Sequence, residues 1–298
     1  MSADNISINM VDENYMKLIP SSAAIRKTCL DFGDSAEYAK RCLPQIGGFS
    51  KVESCWEGTH LHFLTESIQP KISPPERPRV MLLFSNPHPE SVKQGLFMSE
   101  ESSRGFWEIL RCSKQLDINH DFHWDNPDSR RETVSLLLNG DYGGPLLFFE
   151  CLYLIPSNSP KDLRKLFRPR TGDFERYLHR PSLERTSAIL TNNNIKIVLV
   201  FTGETFESIV RKPDISKYSR QILRASVKKA LDTGNERLFW KCMDKHKLRE
   251  QVSLPNLKHE CTAIKVMDTR VKNWWQVGRR SIFSHVLDYA LQYARQVG

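Results

Sequence analysis

The sequence predicts an α/β fold, a three-layer sandwich with a central, mainly parallel four-stranded sheet. Two observations predict it. Short, continuous apolar runs recur along the chain, and the buried strands of a parallel sheet have this pattern. Polar or amphipathic stretches of helical character separate the runs, which is typical of helices packed on the faces of such a sheet.

The predicted elements follow in chain order. A helical candidate lies at 35–42, and residues 69–79, with four prolines, form an extended lead-in. The predicted strands are 80–84, 146–155, 195–201 and a weaker 261–267. The predicted helices are 104–114, 162–167, 173–192, 204–210, 216–232, 236–250 and 281–296, while 117–144 is turn-rich with a short element at 134–138.

The length of 298 residues allows one large domain or two ordinary ones. We expect an N-terminal extension with its proline-rich lead-in at 1–78 and a main domain at 79–298. No apolar run approaches the ~18–20 residues that span a bilayer, so we expect neither a membrane protein nor a membrane partner. The polar N-terminus lacks the features of a secretory signal, which predicts an intracellular protein, cytoplasmic or, in a eukaryote, nuclear.

Charge and cysteine usage narrow the class of protein further. The formal net charge of +8 favours polyanionic partners. The seven cysteines are odd in number and form no Cys-x-x-Cys pair, so a disulfide framework, a zinc ribbon or an iron–sulfur cluster is disfavoured. Cys151 and Cys261 lie in apolar runs, and we expect both in the core. The cluster at 120–125 contains possible ligands but no matching partners, so we predict no metal and no cofactor.

In parallel α/β sheets the ligand binds at the carboxyl ends of the strands, so the residues just after each strand are informative. No Gly-rich phosphate-binding motif follows any strand, which disfavours NAD enzymes and P-loop hydrolases. The first strand is followed by Ser-Asn-Pro-His-Pro at 85–89, Gly-Leu-Phe-Met-Ser at 95–99 and Arg-Gly-Phe-Trp at 104–107. This order of motifs resembles the uracil-DNA glycosylase superfamily, in which several branches have Gly-Met/Ile-Asn-Pro-Gly-Pro, a Gly- and Phe-containing loop and an Arg/Gly-Phe-Trp helix start.

The resemblance covers 80–298 by order of elements, with its specific part at 80–110. It implies a uracil-DNA glycosylase-like fold and a DNA glycosylase that flips out a base and hydrolyses its glycosidic bond. In that role Asn86 positions the water near C1′, Phe97 or Met98 stacks on the flipped base, and His88 screens the pyrimidine C5 substituent. The alternatives are that Asn86 caps the turn, that Phe97 and Met98 belong to the core, and that His88 is an exposed turn residue.

Many members place an Asn near the end of the second strand, where this chain has Glu150. A carboxylate in so apolar a run is costly unless it is paired or functional. An ionised Glu only accepts hydrogen bonds, and cytosine offers an amino donor where uracil offers an oxygen. Glu150 therefore points to a modified cytosine ahead of uracil, and the alternative is a structural salt bridge with an Arg.

After the fourth strand the family shows His-Pro-Ser or Asn-Pro-Ser, whereas this chain has Met-Asp-Thr-Arg at 267–270. Arg270 is a candidate for charge stabilisation of the leaving base, and Asp268 for orienting Arg270 or assisting the water; an ordinary loop ion pair is the alternative. The next segment suits phosphate contact and wedging into DNA through Lys272, Trp274, Trp275, Arg279 and Arg280.

These residues together predict a monofunctional DNA N-glycosylase that leaves an abasic site without strand cleavage, in repair or in defence against modified foreign DNA. Its expected partner is DNA, with no obligatory protein partner. Two alternatives stay open: a non-catalytic nucleic-acid-binding protein on the same fold, and an unrelated α/β enzyme acting on a phosphorylated molecule. The basic run 211–229 is interpreted as a solvated helix face that adds non-specific affinity.

Overall fold

The computed structural model describes residues 24–71, 74–99, 103–118, 123, 125–210, 220–266, 276–277 and 280–297. Within these ranges the strands are, in chain order, β1 (Ile25–Asp31), β2 (Ser54–Glu57), β3 (His60–Glu66), β4 (Arg79–Phe84), β5 (Leu146–Cys151), β6 (Ile197–Val200), β7 (Arg249–Gln251), β8 (Thr262–Lys265), β9 (Gln276–Val277) and β10 (Arg280–Ser281).

The helices surround these strands. They are α1 (Ala36–Cys42), α2 (Pro89–Gln94), α3 (Arg104–Arg111), α4 (Pro127–Asn139), α5 (Pro160–Leu166), α6 (Thr171–Phe174), α7 (Arg180–Asn192), α8 (Gly203–Ile209), α9 (Arg220–Asp232), α10 (Glu236–Lys245) and α11 (Ile282–Val297). A π-helical turn, Glu175–His179, joins α6 to α7.

A five-stranded, mostly parallel sheet lies at the centre, in the order β5-β4-β6-β8-β7. The first four strands are parallel, and β7 pairs antiparallel with β8. This confirms the α/β class and the four predicted parallel strands, and it adds a fifth strand. The chain moves outward from β4 to β5 and then crosses back to β6, so the strand order reverses beside β4. Ligands of open α/β sheets bind at the carboxyl ends of strands at such a reversal.

Successive residues of β5 face opposite sides of the sheet, which shows where the helix layers lie. Phe149 packs against Phe106 and Trp107 of α3, with ring centroids 6.1 Å apart in both pairs. Glu150 instead contacts Arg185 of α7 at 2.9 Å. The sheet is therefore covered by α3 on one face and by α7 on the other, as in a layered α/β sandwich.

The N-terminal residues form a second, antiparallel sheet in the order β1-β3-β2. Just after β3, the backbone of Ile68 exchanges hydrogen bonds with Phe149 of β5, at 3.0 and 2.8 Å. Phe32 is fully buried and stacks on Phe167, which follows α5. These residues share one continuous hydrophobic core with the central sheet. The domain boundary drawn at 78/79 stays a prediction.

Three local predictions were wrong, each because of residues that begin or end a helix. The helix expected at 236–250 ends at Lys245, because Lys247 adopts a left-handed backbone (φ 56°) and turns the chain into β7. The turn-rich 117–144 contains α4, which is capped by the side chain of Asn126 and begins at Pro127. The proline turn after β4 likewise begins a helix, α2, at Pro89.

In the part of the chain that the structure describes, no helix is both long and apolar enough to cross a membrane. Cys151 and Cys261 are buried, as predicted for core residues.

The aromatic packing on β5 sets a stability prediction. Phe149 has no exposed surface, so we expect Phe149→Ala to lower the free energy of unfolding by about 3–5 kcal/mol through lost burial and cavity formation. Leu238, which is 44% exposed, is the matched control, and Leu238→Ala should cost less than about 0.5 kcal/mol. Urea unfolding of both variants checks this, and equal losses would contradict the assigned core.

Candidate functional site

Asn86 lies just after β4, at the carboxyl edge where the strand order reverses. Its Nδ2 donates to the carbonyl of Ser157 at 2.6 Å, to the hydroxyl of Ser157 at 3.0 Å and to the carbonyl of Pro87 at 3.0 Å. Its Oδ1 accepts from the hydroxyl of Ser85 at 3.1 Å. An amide oxygen has two lone pairs, so this orientation leaves Oδ1 capacity for one further donor.

Two turns are joined at this point. The backbone N–H of Tyr153 donates to Ser85 at 2.8 Å, and that of Ser157 donates to Pro87 at 3.0 Å. The segment after β5 thus runs alongside the segment after β4, and Ser157 is almost fully buried between them. Asn86 is therefore held on a rigid support rather than on a free loop.

His88 lies two residues further on, half-buried, at the N-cap position of α2. Its Nδ1 is buried without a hydrogen-bond partner among the described residues. A buried polar atom without a partner is uncommon in proteins and calls for an explanation. Ten other buried side-chain nitrogen and oxygen atoms of the described residues also lack a hydrogen-bond partner, so the predicted contact of His88 with a base stays a prediction.

The stacking role predicted for Phe97 does not fit the structure. Phe97 is 1% exposed and packs edge-on against Phe84 at 5.4 Å and Phe149 at 5.5 Å between ring centroids. A ring enclosed on these sides has no face left for a nucleobase. Phe97 is a core residue, which was the alternative in the sequence analysis.

The sequence analysis missed Phe201, an aromatic ring at the same edge. Phe201 follows β6 directly, is half-buried, and stacks on Phe84 with centroids 4.3 Å apart and planes 13° apart. Its position in the sequence could have identified it, because Phe201 is the last residue of the third apolar run and ligand-contacting residues are expected at the ends of such strands. Phe201 was instead counted as part of the strand.

Met98 lies in the loop between α2 and α3 with a left-handed backbone, φ 45°. Its N–H donates to Glu66 at 3.2 Å, and its carbonyl accepts from the indole N–H of Trp107 at 2.9 Å. Positive φ in a non-glycine residue is strained and persists where the surroundings hold it. Its side chain is half-buried against the core, and its predicted contact with a base stays a prediction.

The base-reading role predicted for Glu150 is also wrong. Glu150 lies inside β5, is 1% exposed, and accepts from Arg185 at 2.9 Å and Arg26 at 3.3 Å. Its other oxygen accepts from Ser67 and Gln69. Burial lowers the pKa of the Arg185 guanidinium, and the charge of Glu150 opposes that shift. The carboxylate is occupied by protein donors, so the salt-bridge alternative is correct.

The remaining predicted site residues lie outside the described residues: Asp268, Arg270, Lys272, Trp274, Trp275 and Arg279. Of Arg280, only the backbone is described, in β10. Most of the 120–125 cluster is also outside. Among the residues that the structure does describe, no group of three or more His, Cys, Asp or Glu side chains is arranged to hold a metal ion.

A cluster of titratable side chains that was not predicted from the sequence lies beside the two turns. The hydroxyl of Tyr153 is 3.0 Å from Nδ1 of His179, in the π-helical turn, and Arg164 pairs with Glu204 at 2.9 Å. Burial raises the pKa of Tyr153, opposed by Arg164, and burial lowers the pKa of His179. The Tyr153 hydroxyl and Nδ1 of His179 therefore share a hydrogen bond whose direction depends on which imidazole nitrogen carries the proton.

A separate surface hollow lies away from this edge, between the start of α10 and the end of α11. Two of its charged groups, Arg249 and Glu236, are bound within the protein. Arg249 makes a two-point ion pair with Asp244, and Glu236 accepts from Trp240 and Gln292. The carboxyl edge of β4 and β6 is therefore the better candidate site.

No protein-family model matches this chain, and no curated protein matches it significantly.

Removal of the Glu150 charge is expected to affect stability first. Glu150→Gln leaves two guanidinium groups without their buried counter-charge, and we expect a loss of about 3 kcal/mol or more in unfolding free energy. Glu184→Gln is the control, since it removes an exposed pair with Arg180 worth less than about 1 kcal/mol. Urea unfolding distinguishes them, and a Glu150→Gln variant as stable as the wild type would contradict the stabilising role assigned to this ion pair.

Acidification is expected to weaken the fold through His179. Its pKa lies below the ordinary value of 6.5, so below that pH the unfolded chain takes up a proton that the folded protein does not. Stability is therefore fully present above about pH 6.5 and falls as the pH drops towards the folded pKa. His179→Gln should reduce this fall, measured by urea unfolding between about pH 8 and pH 5.

His246 also has a pKa lowered by burial, so it should account for a separate part of the same loss. The double variant His179→Gln/His246→Gln is expected to depend on pH less than either single variant. An unchanged pH dependence in His179→Gln would show that the histidine does not contribute.

Proposed function

We propose that this protein is a monofunctional DNA glycosylase that excises a modified or damaged pyrimidine and leaves an abasic site. One observation carries the proposal. Asn86 is fixed at the reversal of strand order by Ser157, in an orientation that leaves its Oδ1 able to accept from a water. The motif resemblance at 80–110 adds the reaction that such a held water would perform.

In this reaction the water oxygen attacks C1′ of the flipped nucleotide while the bond from C1′ to the base nitrogen breaks. The base leaves with the bonding electron pair, the water loses one proton to solvent as its oxygen becomes the hydroxyl on C1′, and the base takes up one proton from solvent. The amide of Asn86 does not titrate near neutral pH, so its contribution is to position the water rather than to remove a proton. Stabilising the departing base is the role proposed for Arg270, and Asp268 is proposed to orient Arg270 or to assist the water.

The base itself would be held at the same edge. Phe201 lies next to the carboxyl ends of β4 and β6, but its ring stacks on Phe84 and packs against Phe106 with centroids 5.7 Å apart, so no stacking role is proposed for it. The partnerless Nδ1 of His88 suits a polar group of the base. Because Glu150 is bound by protein donors, it no longer favours modified cytosine over uracil, and the excised base is a question for experiment.

The chemistry of Lys265 supports simple hydrolysis. This residue ends β8, and its ammonium donates to the carbonyls of Phe201 at 3.1 Å and Val266 at 2.6 Å. A lysine used in this way serves to tie two strand ends together. Lys265 is therefore engaged by backbone carbonyls and is not assigned the attack on C1′ by an amine that leads to strand cleavage.

One observation favours a second function, a non-catalytic nucleic-acid-binding protein on the same fold. Within the described residues the contacts of the Asn86 amide are internal to the two turns, as expected of a residue that only shapes them. Under that function Asn86 would matter for the fold and not for any reaction.

The deciding experiment measures abasic-site formation in single turnover on duplexes carrying uracil, a thymine mismatch, or 5-methyl-, 5-hydroxymethyl- or glucosylated hydroxymethylcytosine. We expect release of one of these bases by the wild type and a loss of about 100-fold in rate for Asn86→Ala, because the water is no longer held. Asn192→Ala, an exposed residue at the end of α7, is the control and should react as the wild type does.

The outcomes separate the two functions. Retained DNA affinity together with a lost reaction in Asn86→Ala supports the glycosylase. Binding without release of any base by the wild type supports the binding protein. A wild-type rate in Asn86→Ala would remove Asn86 from the reaction. Release of uracil would favour repair, and release of a glucosylated base would favour defence against foreign DNA.

A further inference from the structure

Residues 160–180 concentrate positive charge next to the candidate site. The segment has seven Lys and Arg against three Asp and Glu, a net charge of +4, which is half of the +8 of the whole chain. Six of the cations are Lys161, Lys165, Arg168, Arg170, Arg176 and Arg180, and all six are exposed. We call this set the basic surface.

The basic surface is held rigidly by the residues between its cations. Leu163 and Phe167 are fully buried and Leu178 is 2% exposed, so one side of the segment is anchored in the core. Phe167 stacks on Phe32, and Phe174 packs against Tyr153 with centroids 5.6 Å apart. The cations thus project from a fixed scaffold and not from a flexible loop.

Three contacts place this surface at the carboxyl edge of the sheet. Asn86 binds Ser157, three residues before α5 begins. Tyr153, which starts the same connection, pairs with Ser85 after β4. Arg164 of α5 forms an ion pair with Glu204, the second residue of α8, just after β6. The basic surface therefore adjoins the edge that holds Asn86.

Half of the six cations have no ion-pair partner among the described residues: Lys161, Arg168 and Arg176. Arg180 pairs with Glu184 at 3.0 Å, with its own side chain 73% exposed. Lys165 reaches Asp162 only at 3.9 Å with its side chain 75% exposed, and the Arg170 pair with Asp173 spans 3.5 Å. Exposed pairs of this kind are weak and exchange readily with other anions.

We infer that the basic surface binds the phosphate backbone of duplex DNA flanking the target nucleotide, independently of sequence. Rigid, exposed cations beside a ligand edge match a regular array of phosphates, and such contacts position a nucleic acid without reading its bases. The inference rests on the proposed function for its partner, DNA, and assigns a surface apart from the 271–280 segment.

The test compares two double variants that remove the same charge. Lys161→Gln/Arg168→Gln removes cations of the basic surface, and Arg237→Gln/Lys241→Gln removes two exposed cations of α10 on another part of the molecule. Affinity for an unmodified duplex is measured by fluorescence anisotropy over about 50 to 300 mM NaCl. Circular dichroism establishes that both variants are folded.

We expect the first variant to bind about tenfold more weakly near 100 mM salt, with the slope of log affinity against log salt lower by about 2, since each lost phosphate contact removes about 0.9. The α10 variant should change affinity by less than about twofold. Equal effects of both variants, or no effect of either, would overturn the inference. It would also be overturned if Lys161→Gln/Arg168→Gln lost binding to phosphatidylserine vesicles but kept its affinity for DNA.

Failure of this inference is distinguishable from failure of the proposed function. At saturating protein the first variant should form abasic sites at the wild-type rate, because it alters binding and not the reaction. A duplex that is bound through the basic surface but never loses a base would uphold the inference and remove the glycosylase. Base release with both variants binding alike would uphold the glycosylase and remove the inference.

Discussion

A carboxylate removed from water must meet compensating donors, and Glu150 meets four of them from three separate parts of the chain. Arg26 comes from β1, Arg185 from α7, and Ser67 and Gln69 from the segment that links the small sheet to β4. Arg185 also donates to the backbone carbonyls that follow β5. The two sheets, a helix layer and the connection leading to Ser157 are thus oriented around one charge, and the candidate site inherits that orientation.

The site in turn depends on agreement between two turns. Asn86 and Ser157 lie 71 positions apart in sequence and meet because β4 and β5 are parallel neighbours whose carboxyl ends coincide. The side-chain amide of Asn86 links the two turns through its hydrogen bonds to Ser157. A catalytic group fixed in this way needs little reorganisation when a substrate arrives, which is the property that positioning of a water requires.

The sequence predicted the sheet well because buried parallel strands are continuous apolar runs, a signal that needs no tertiary information. It failed where the answer depended on register. Roles were given to Phe97 and Glu150 from their positions in the sequence. In the structure Phe97 packs against Phe149 on one face of β5, and Glu150 meets two arginines on the other face. Polar α4 was missed because its helix depends on Asn126 and Pro127 rather than on periodicity. Phe201 was absorbed into its strand, since strand ends are the least certain boundaries.

The edges of the central sheet bear on how this protein behaves at high concentration. An open strand edge offers unpaired amide and carbonyl groups to any other chain and so invites intermolecular association. Here Ile68 occupies part of the outer side of β5, while short β7 covers β8 and is itself continued by a bridge between Val210 and Val252. Within the described residues both flanks are thus partly shielded, which shortens the strand edge that another chain could extend.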